Sequence, residues 1–313
     1  MKRYKAILVG NGVMGGRHRA RFEACGVEFV AVLDKECSDR SVLAASIAGK
    51  EFDFAVVTTP AVTHYGYAKF FLEQKIPVLV EKPLAITGEE AQELVDISLR
   101  NDTLLFVAQS ECFNPLFLNF RKHFLLELNS LYVINSCDSE LMRGNSPELS
   151  AKNVPAVRLE FRREHRYCPR CRDVDVSLDL LVHDLGLFFT LFRYEDVEVS
   201  SSIPAESCDR AGLCLKVVRG QYRGVTADFY VNRDSDVDVR TISVSYGRQG
   251  GSPESSYTVS LAHYLENGEI AHIPDSLENE HRFFLKLLDG ACGDWGKRLA
   301  QTAADCVKMA ASR

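Results

Sequence analysis

Five short apolar runs recur along the first hundred or so residues, at 6–9, 29–33, 53–58, 77–80 and 103–108. Each has the length and β-branched character of a buried strand. Between them lie stretches with helical spacing. One runs to about Cys25, where Gly26 can end it. Others are expected at 41–48, 65–74 and 87–100, the last opened by Thr87-Gly88-Glu89-Glu90, a capping-box pattern. Strands alternating with helices at this spacing require parallel crossovers, so the first part of the chain should be a doubly wound α/β sheet. Such sheets bind ligands outside the carboxyl ends of their strands. That rule points at Gly10–Gly15, Asp34, Thr58–Pro60, Glu81–Pro83 and Gln109–Glu111.

Beyond about Cys112 the pattern changes. A helix is expected at 116–128, a strand at 131–137, a polar loop at 140–154 and another strand at 157–163. An apolar helix should follow at 177–192. Residues 197–261 alternate with period two and show no helical stretch, which predicts a mostly antiparallel sheet in a second, α+β domain. Two helices around Gly290-Ala291-Cys292-Gly293 close the chain. The expected division is 1–112 and 113–313, with the terminal helices free to pack back on the first domain.

Length agrees with two domains, since 313 residues exceed a usual single core. Hydrophobic residues make up 46%, enough for two interiors, and the formal net charge of -6 gives no reason to expect nucleic acid or an anionic membrane as partner. The basic start, Met1 to Lys5, precedes an apolar run too short for a signal peptide. The most apolar later stretch contains Asp179, His183 and Asp184, which argues against a membrane span. A cytoplasmic protein is expected. The ten cysteines are scattered and only Cys168 and Cys171 form a C-x-x-C. A structural zinc site needs a second ligand pair, so reduced thiols and no metal are expected.

Gly10, Gly12 and Gly15 stand between the first two strands with the spacing G-x-G-x-x-G. Gly10 suits a tight turn, Gly12 lets a pyrophosphate approach the backbone, and Gly15 lets helix and strand pack closely. Unpaired N–H groups at the helix start then face the phosphates. Asp34 follows Gly15 by nineteen residues, where a carboxylate can accept hydrogen bonds from a ribose diol. Its charge opposes a 2′-phosphate, which favours NAD; the neighbouring Lys35 leaves NADP open.

Two further segments carry chemistry. Glu81-Lys82-Pro83 places a lysine at the end of the fourth strand, and Pro83 biases Lys82 away from helical backbone. A surface ion pair with Glu81 is the plainer alternative. Asp179 and His183 are four apart and share a face of an apolar helix. A histidine satisfied within the core is the alternative there.

Together, GNGVMGGRH, TTP with His64 four residues on, VLVEKPL and LDLLVHDLG resemble the glucose–fructose oxidoreductase/inositol dehydrogenase (Gfo/Idh/MocA) family, in order and spacing, over nearly the whole chain. The resemblance implies a Rossmann domain and a second domain whose open sheet makes oligomer contacts, in a homodimer or homotetramer. It implies hydride transfer between a nicotinamide and a sugar or polyol carbon. Carried over by position, Lys82, Asp179 and His183 are the catalytic group. His183 would take the hydroxyl proton, Lys82 would stabilise charge on that oxygen, and Asp179 would orient substrate or His183. The cofactor side would comprise Gly10, Gly12, Val13, Met14, Gly15, Asp34, Thr58, Thr59, Pro60, His64, Glu81, Lys82 and Gln109. Glu111-Cys112-Phe113-Asn114-Pro115 resembles the E-R-F-N-P segment of members acting on nucleotide-linked amino sugars, with cysteine for arginine. Glu111, Asn114, Arg158 and Arg166 are therefore substrate candidates, although the arginine run 158–172 equally reads as a solvated face. An NADP-dependent polyol or free-sugar dehydrogenase or reductase remains an alternative. A catalytically silent dinucleotide-binding sensor is another, but it has no need to keep Lys82, Asp179 and His183 together.

Overall fold

The computed structural model describes residues 3–34, 40–141, 155–168, 173–207, 209–248, 252–262, 265–266, 269–270, 275–291 and 294–311. The five expected apolar runs form five parallel strands: β1 (Lys5–Val9), β2 (Glu28–Leu33), β3 (Phe54–Val57), β4 (Val78–Glu81) and β5 (Leu105–Ala108). Their order across the sheet is β2-β1-β3-β4-β5, with every neighbouring pair parallel. Helices α1 (Val13–Ala24), α2 (Arg40–Ile47), α3 (His64–Glu73) and α4 (Gly88–Asn101) make the crossovers. Ala6–Val9, Phe54–Val57 and Val78–Val80 have no exposed surface, as continuous apolar runs covered on both faces require. Strand order reverses between β1 and β3, and the crevice at such a switch point is where this architecture takes ligands. Thr87 starts α4 as expected, its hydroxyl accepting the Glu90 N–H at 3.2 Å.

By its internal contacts the chain divides into two compact units, each discontinuous in sequence. Met1–Phe113, Pro169–Gly186 and Pro274–Arg313 form one; Asn114–Cys168 and Leu187–Ile273 form the other. Sequence order had grouped 169–186 with the second domain, whereas its contacts are with the first unit. The closing helices α7 (Ser276–Leu288) and α8 (Trp295–Ala311) also belong there. Phe284 of α7 sits fully buried among the rings of Phe22, Phe54 and Phe106, at centroid distances of 6.0, 5.0 and 5.5 Å.

The second unit holds a six-stranded sheet: β6 (Pro155–Glu164), β7 (Val197–Ser207), β8 (Arg210–Val217), β9 (Thr226–Asn232), β10 (Val239–Arg248) and β11 (Pro253–Ser260). The order is β11-β10-β6-β9-β8-β7. Neighbours are antiparallel except β6 and β9, which run parallel. The parallel pair arises because β6 comes from earlier in the chain and inserts between β10 and β9. A two-residue pair, β12 (Leu265–Glu266) and β13 (Glu269–Ile270), stands apart.

Two expectations need correction. Residues 131–137 are not a strand but part of a long helix α5 (Pro115–Leu141). Phe117, Phe120, Phe124, Leu128 and Tyr132 are all buried, and their spacing is helical. The β-branched and aromatic side chains near 131–134 masked that period. The apolar stretch 177–192 is also not one regular helix: a π-helical turn covers Ser177–Leu181, and α6 spans Val182–Phe189. The loop expected at 140–154 falls outside the described residues from 142 on, as do Arg170, Cys171 and Arg172. No helix among the described residues is long and apolar enough to cross a membrane.

Phe284→Ala should destabilise the first unit by about 3–5 kcal/mol, the cost of emptying a ring-lined core site. Urea unfolding measures this; a loss below 1 kcal/mol, on the order of a surface change, would mean that α7 is not part of this core.

Candidate active site

The glycine turn is built by close backbone approach. Gly10 has φ +97°, and a Cβ there would lie 2.7 Å from the Thr58 carbonyl and the Thr59 nitrogen. At Gly15 a Cβ would come within 2.0 Å of the Gly10 oxygen. Neither position accepts a side chain. At Gly12, by contrast, a Cβ would meet nothing within 4 Å. The turn is therefore tight underneath and open above, which is the cradle a pyrophosphate needs. Gly12 caps α1 without a side chain, so the first N–H groups of the helix are not taken by a capping side chain. Val13 is exposed and Met14 half-buried beside them. The Gly10 N–H donates to the Leu33 oxygen at 2.8 Å, which sets exposed Asp34 one residue past the turn. These residues fit a dinucleotide.

Several residues expected to touch the cofactor instead brace the loops. The Thr58 hydroxyl donates to the Gly10 oxygen at 2.6 Å, inside the turn. His64 is buried, with Nε2 2.8 Å from the Thr59 oxygen and Nδ1 2.7 Å from the Pro83 oxygen. It joins the loop after β3 to the loop after β4. Burial pushes its imidazole below the ordinary range, against the pull of those two carbonyls and of the Glu81 and Asp173 charges. The Asp173 carboxylate accepts the Ala61 N–H at 2.9 Å, so Thr59 and exposed Pro60 are held from both sides. Gln109 is buried, and its amide packs on Gly186, where a Cβ would be 3.0 Å away.

Lys82 and Asp179 meet. The ammonium donates to the Asp179 main-chain oxygen at 2.8 Å and to its carboxylate at 2.9 Å. Side-chain exposure is 16% for Lys82 and 6% for Asp179, so this is not the surface pair with Glu81 that the sequence also allowed. The carboxylate expected to orient substrate or histidine thus engages the lysine. It sits in the π-helical turn, a local widening that recurs at functional sites. His183 follows four residues later in the first turn of α6, half-buried.

Glu81 lies behind the lysine and is buried. Its Oε1 is 2.8 Å from His18 Nε2, and its Oε2 accepts the Lys82 N–H at 3.0 Å. Burial opposes its charge, but the His18 hydrogen bond and the nearby His18, Lys82 and His64 hold its carboxyl below the usual range. His18 Nδ1 is in turn 2.8 Å from His281 Nε2. Neighbouring Glu280 is fully buried, its carboxyl oxygens without a close hydrogen-bond partner among the described residues. Burial, with the Glu81 charge adding to it, pushes this carboxyl well above the ordinary range, and the Gln109 main chain offsets only part. Sequence reasoning missed His18, His281 and Glu280 as site groups. His18 stood in the quoted glycine motif, but its partner lies 263 residues away.

The substrate candidates fall in both units. Glu111 is buried in the first unit, in the short turn after β5. The other three belong to the second unit. Asn114 is buried, donates to the Leu261 oxygen at 2.9 Å and accepts the Leu116 N–H at 2.9 Å, so it acts as the cap of α5. Arg158 lies on the exposed face of β6 and pairs with Asp228 at 2.6 Å. Arg166 donates to the Asp236 oxygen at 3.2 Å and is exposed. Among the described residues no group of three or more potential metal ligands occurs.

Glu280 leads to a pH dependence. A carboxyl whose folded pKa is raised adds stability in full below the unfolded value and loses it as pH rises through the folded value. Relative to Glu280→Gln, the wild-type protein should lose stability above the ordinary glutamate range, by up to about 1.4 kcal/mol per pH unit. Urea midpoints of both proteins from about pH 5 to about pH 8 test this; parallel curves would mean an ordinary ionised carboxylate.

Residues 5–109 match the GFO_IDH_MocA family model, described as an oxidoreductase family with an NAD-binding Rossmann fold. The chain is 24% identical over 216 residues to UDP-N-acetylglucosamine 3-dehydrogenase of Acidithiobacillus ferrooxidans, covering 66% of this chain and 60% of that protein. The solved structure of that enzyme superposes with a TM-score of 0.66 at 20% identity, over 99% of this chain and 98% of the other. The rhizopine catabolism protein MocA of Rhizobium meliloti is 32% identical over 127 residues, 37% of this chain and 40% of its own. The WlbA dehydrogenase of Thermus thermophilus, solved with NAD and UDP-GlcNAcA, superposes with a TM-score of 0.62 at 14% identity, over 98% and 94%. The structural likenesses show a shared fold, and by sequence the chain spans less than two thirds of either curated relative. With its glycine cradle and strand order, the stretch 5–109 is similar to the Gfo/Idh/MocA oxidoreductase family in its NAD-binding Rossmann fold.

Proposed function

We propose that this protein is an NAD-dependent dehydrogenase acting on a ring hydroxyl of a sugar. The observation that carries the proposal is the Lys82 ammonium. Asp179 takes two of its three N–H donors, and the third is left for an oxygen brought beside the strand ends. Placed there, Lys82 stabilises negative charge as it develops on the alcohol oxygen. His183, half-buried one turn beyond Asp179, accepts the hydroxyl proton, a role suited to imidazole near neutral pH. Asp179 holds Lys82 in place. Bound NAD supplies the hydride acceptor. Gly10, Gly12 and Gly15 with the start of α1 hold its pyrophosphate, with Val13 and Met14 alongside, and Asp34 takes the adenosine ribose.

The substrate class we favour is a nucleotide-linked amino sugar. It rests on the E-x-F-N-P segment from Glu111 to Pro115 and on the likeness to enzymes named for such substrates. Glu111 stays a substrate candidate in this reading. Asn114, Arg158 and Arg166 carry less weight, because each is already engaged within its own unit. The working form we infer is an assembly of copies in the cytoplasm, joined through the second sheet. Arg158, Glu160 and Arg162 of its central strand lie exposed on one face of the sheet. Cys25, Cys112, Cys168, Cys214 and Cys306 are free thiols, in keeping with a reducing compartment.

Turnover followed at the reduced-nicotinamide absorbance band, with UDP-sugars, free sugars and polyols as substrates, tests the activity. Lys82→Ala should cut kcat by about a hundred- to a thousandfold while NAD affinity, read by fluorescence, stays within about threefold, less than one lost hydrogen bond to a charged group would cost. Joint loss of binding and turnover would make Lys82 structural. Asp34→Ala should weaken NAD by about ten- to a hundredfold and narrow the preference over NADP. An unchanged preference would remove the reason for choosing NAD.

A further inference from the structure

Behind Lys82 runs a polar chain that the reaction as proposed does not use. His18 on α1 and His281 on α7 are both fully buried, and Glu81 at the end of β4 is 8% exposed. His281 Nε2 lies 2.8 Å from His18 Nδ1, and His18 Nε2 lies 2.8 Å from Glu81 Oε1. The His281 ring stacks on Phe22 at 3.8 Å, in the aromatic core.

The proton positions follow from the one atom left over. Burial above all holds His281 down to about 2, so its ring is neutral and carries one N–H. Its Nδ1 is buried and has no hydrogen-bond partner among the described residues. A buried bare acceptor is tolerated more readily than a buried orphan N–H. The proton therefore sits on Nε2 and is donated to His18 Nδ1. His18 then carries its own proton on Nε2 and donates it to Glu81. Each bond in the chain points toward the carboxylate, and bonds so aligned polarise one another. Glu81 Oε2 meanwhile accepts the Lys82 N–H. The lysine is thus held at its backbone by Glu81 and at its ammonium by Asp179.

We propose that His18 and His281 are positioning residues, which fix the Glu81 carboxylate through this directed chain and so aim Lys82 at the reacting oxygen. This inference rests on the role of Lys82 proposed above. Two substitutions separate hydrogen bonding from packing. His281→Phe keeps a ring against Phe22 and removes the donor; His281→Gln returns an N–H near the place of Nε2. The first should lower kcat by about ten- to a hundredfold, as small displacements of catalytic groups do, with KM and NAD affinity changed little. The second should recover most of that loss. A packing role alone predicts the reverse order of tolerance, and full kcat in His281→Phe overturns the proposal. Lys82→Ala, measured alongside, tells the failures apart. If it is inactive while His281→Phe is fully active, the positioning chain alone is wrong; if it is active, the role of Lys82 is wrong, and the chain with it. Histidine ¹⁵N spectra of the unaltered protein need neither substrate nor a folded variant. They should show the Nε2–H form for both His18 and His281, that of His281 unchanged across neutral pH; an Nδ1–H form of either ring, or titration of His281, sinks the proposal.

Discussion

The contact between the Lys82 ammonium and Asp179 is the constraint around which the site is arranged. It joins the end of β4 to a segment 97 residues later, and that segment thereby counts with the first unit. A lysine on its flexible four-carbon stem would otherwise sweep through solvent. Two hydrogen bonds, one to carboxylate and one to main chain, leave it little room. The π-helical turn makes this geometry available, because widening the helix over Ser177–Leu181 presents both the carbonyl and the carboxylate of Asp179 to one partner.

Such a pair is not a stability device. Removing two charges from water costs several kcal/mol each, on the order of what their attraction returns. The same holds for Glu81 among His18, His64 and Lys82, while fully buried Glu280 has no opposite charge beside it among the described residues and carries the burial cost as a raised carboxyl. An interior chosen for stability alone would place leucine at such positions. Charge concentrated at the carboxyl ends of parallel strands, beside an open glycine cradle, is instead the kind of arrangement that marks a functional site. The aromatic core of Phe22, Phe54, Phe106 and Phe284 lies just beneath and supplies the burial that offsets it.

Residues read as cofactor contacts divide on physical grounds. Gly12, Val13 and Asp34 present open space or exposed surface and remain free to meet a ligand. Thr58, His64 and Glu81 are buried and hydrogen-bonded to the loops that carry their neighbours. Their position at the strand ends was legible, but not which way their side chains turn. A polar residue at a strand terminus can face ligand or loop, and only the partners that approach it choose. Asn114 shows the same ambiguity: it reads as part of a substrate motif, and here it caps α5.

The amino-acid pattern by itself determined the five parallel strands, the glycine turn with Asp34 beyond it, the start of α4 and the mostly antiparallel second sheet. These follow from local rules: continuous burial, a fixed turn geometry, one capping hydroxyl and a period of two. It could not separate helix from strand at 131–137, where apolar residues satisfied both periods until Leu128 and Tyr132 were seen buried on one helical face. Tertiary structure alone decided that β6 enters between β10 and β9, that Asp179 takes Lys82 as partner, and that His281 closes on His18 from the far end of the chain. Each of these is a pairing across tens to hundreds of residues. No local propensity encodes such a pairing, because its energy exists only once the chain has brought both partners out of water together.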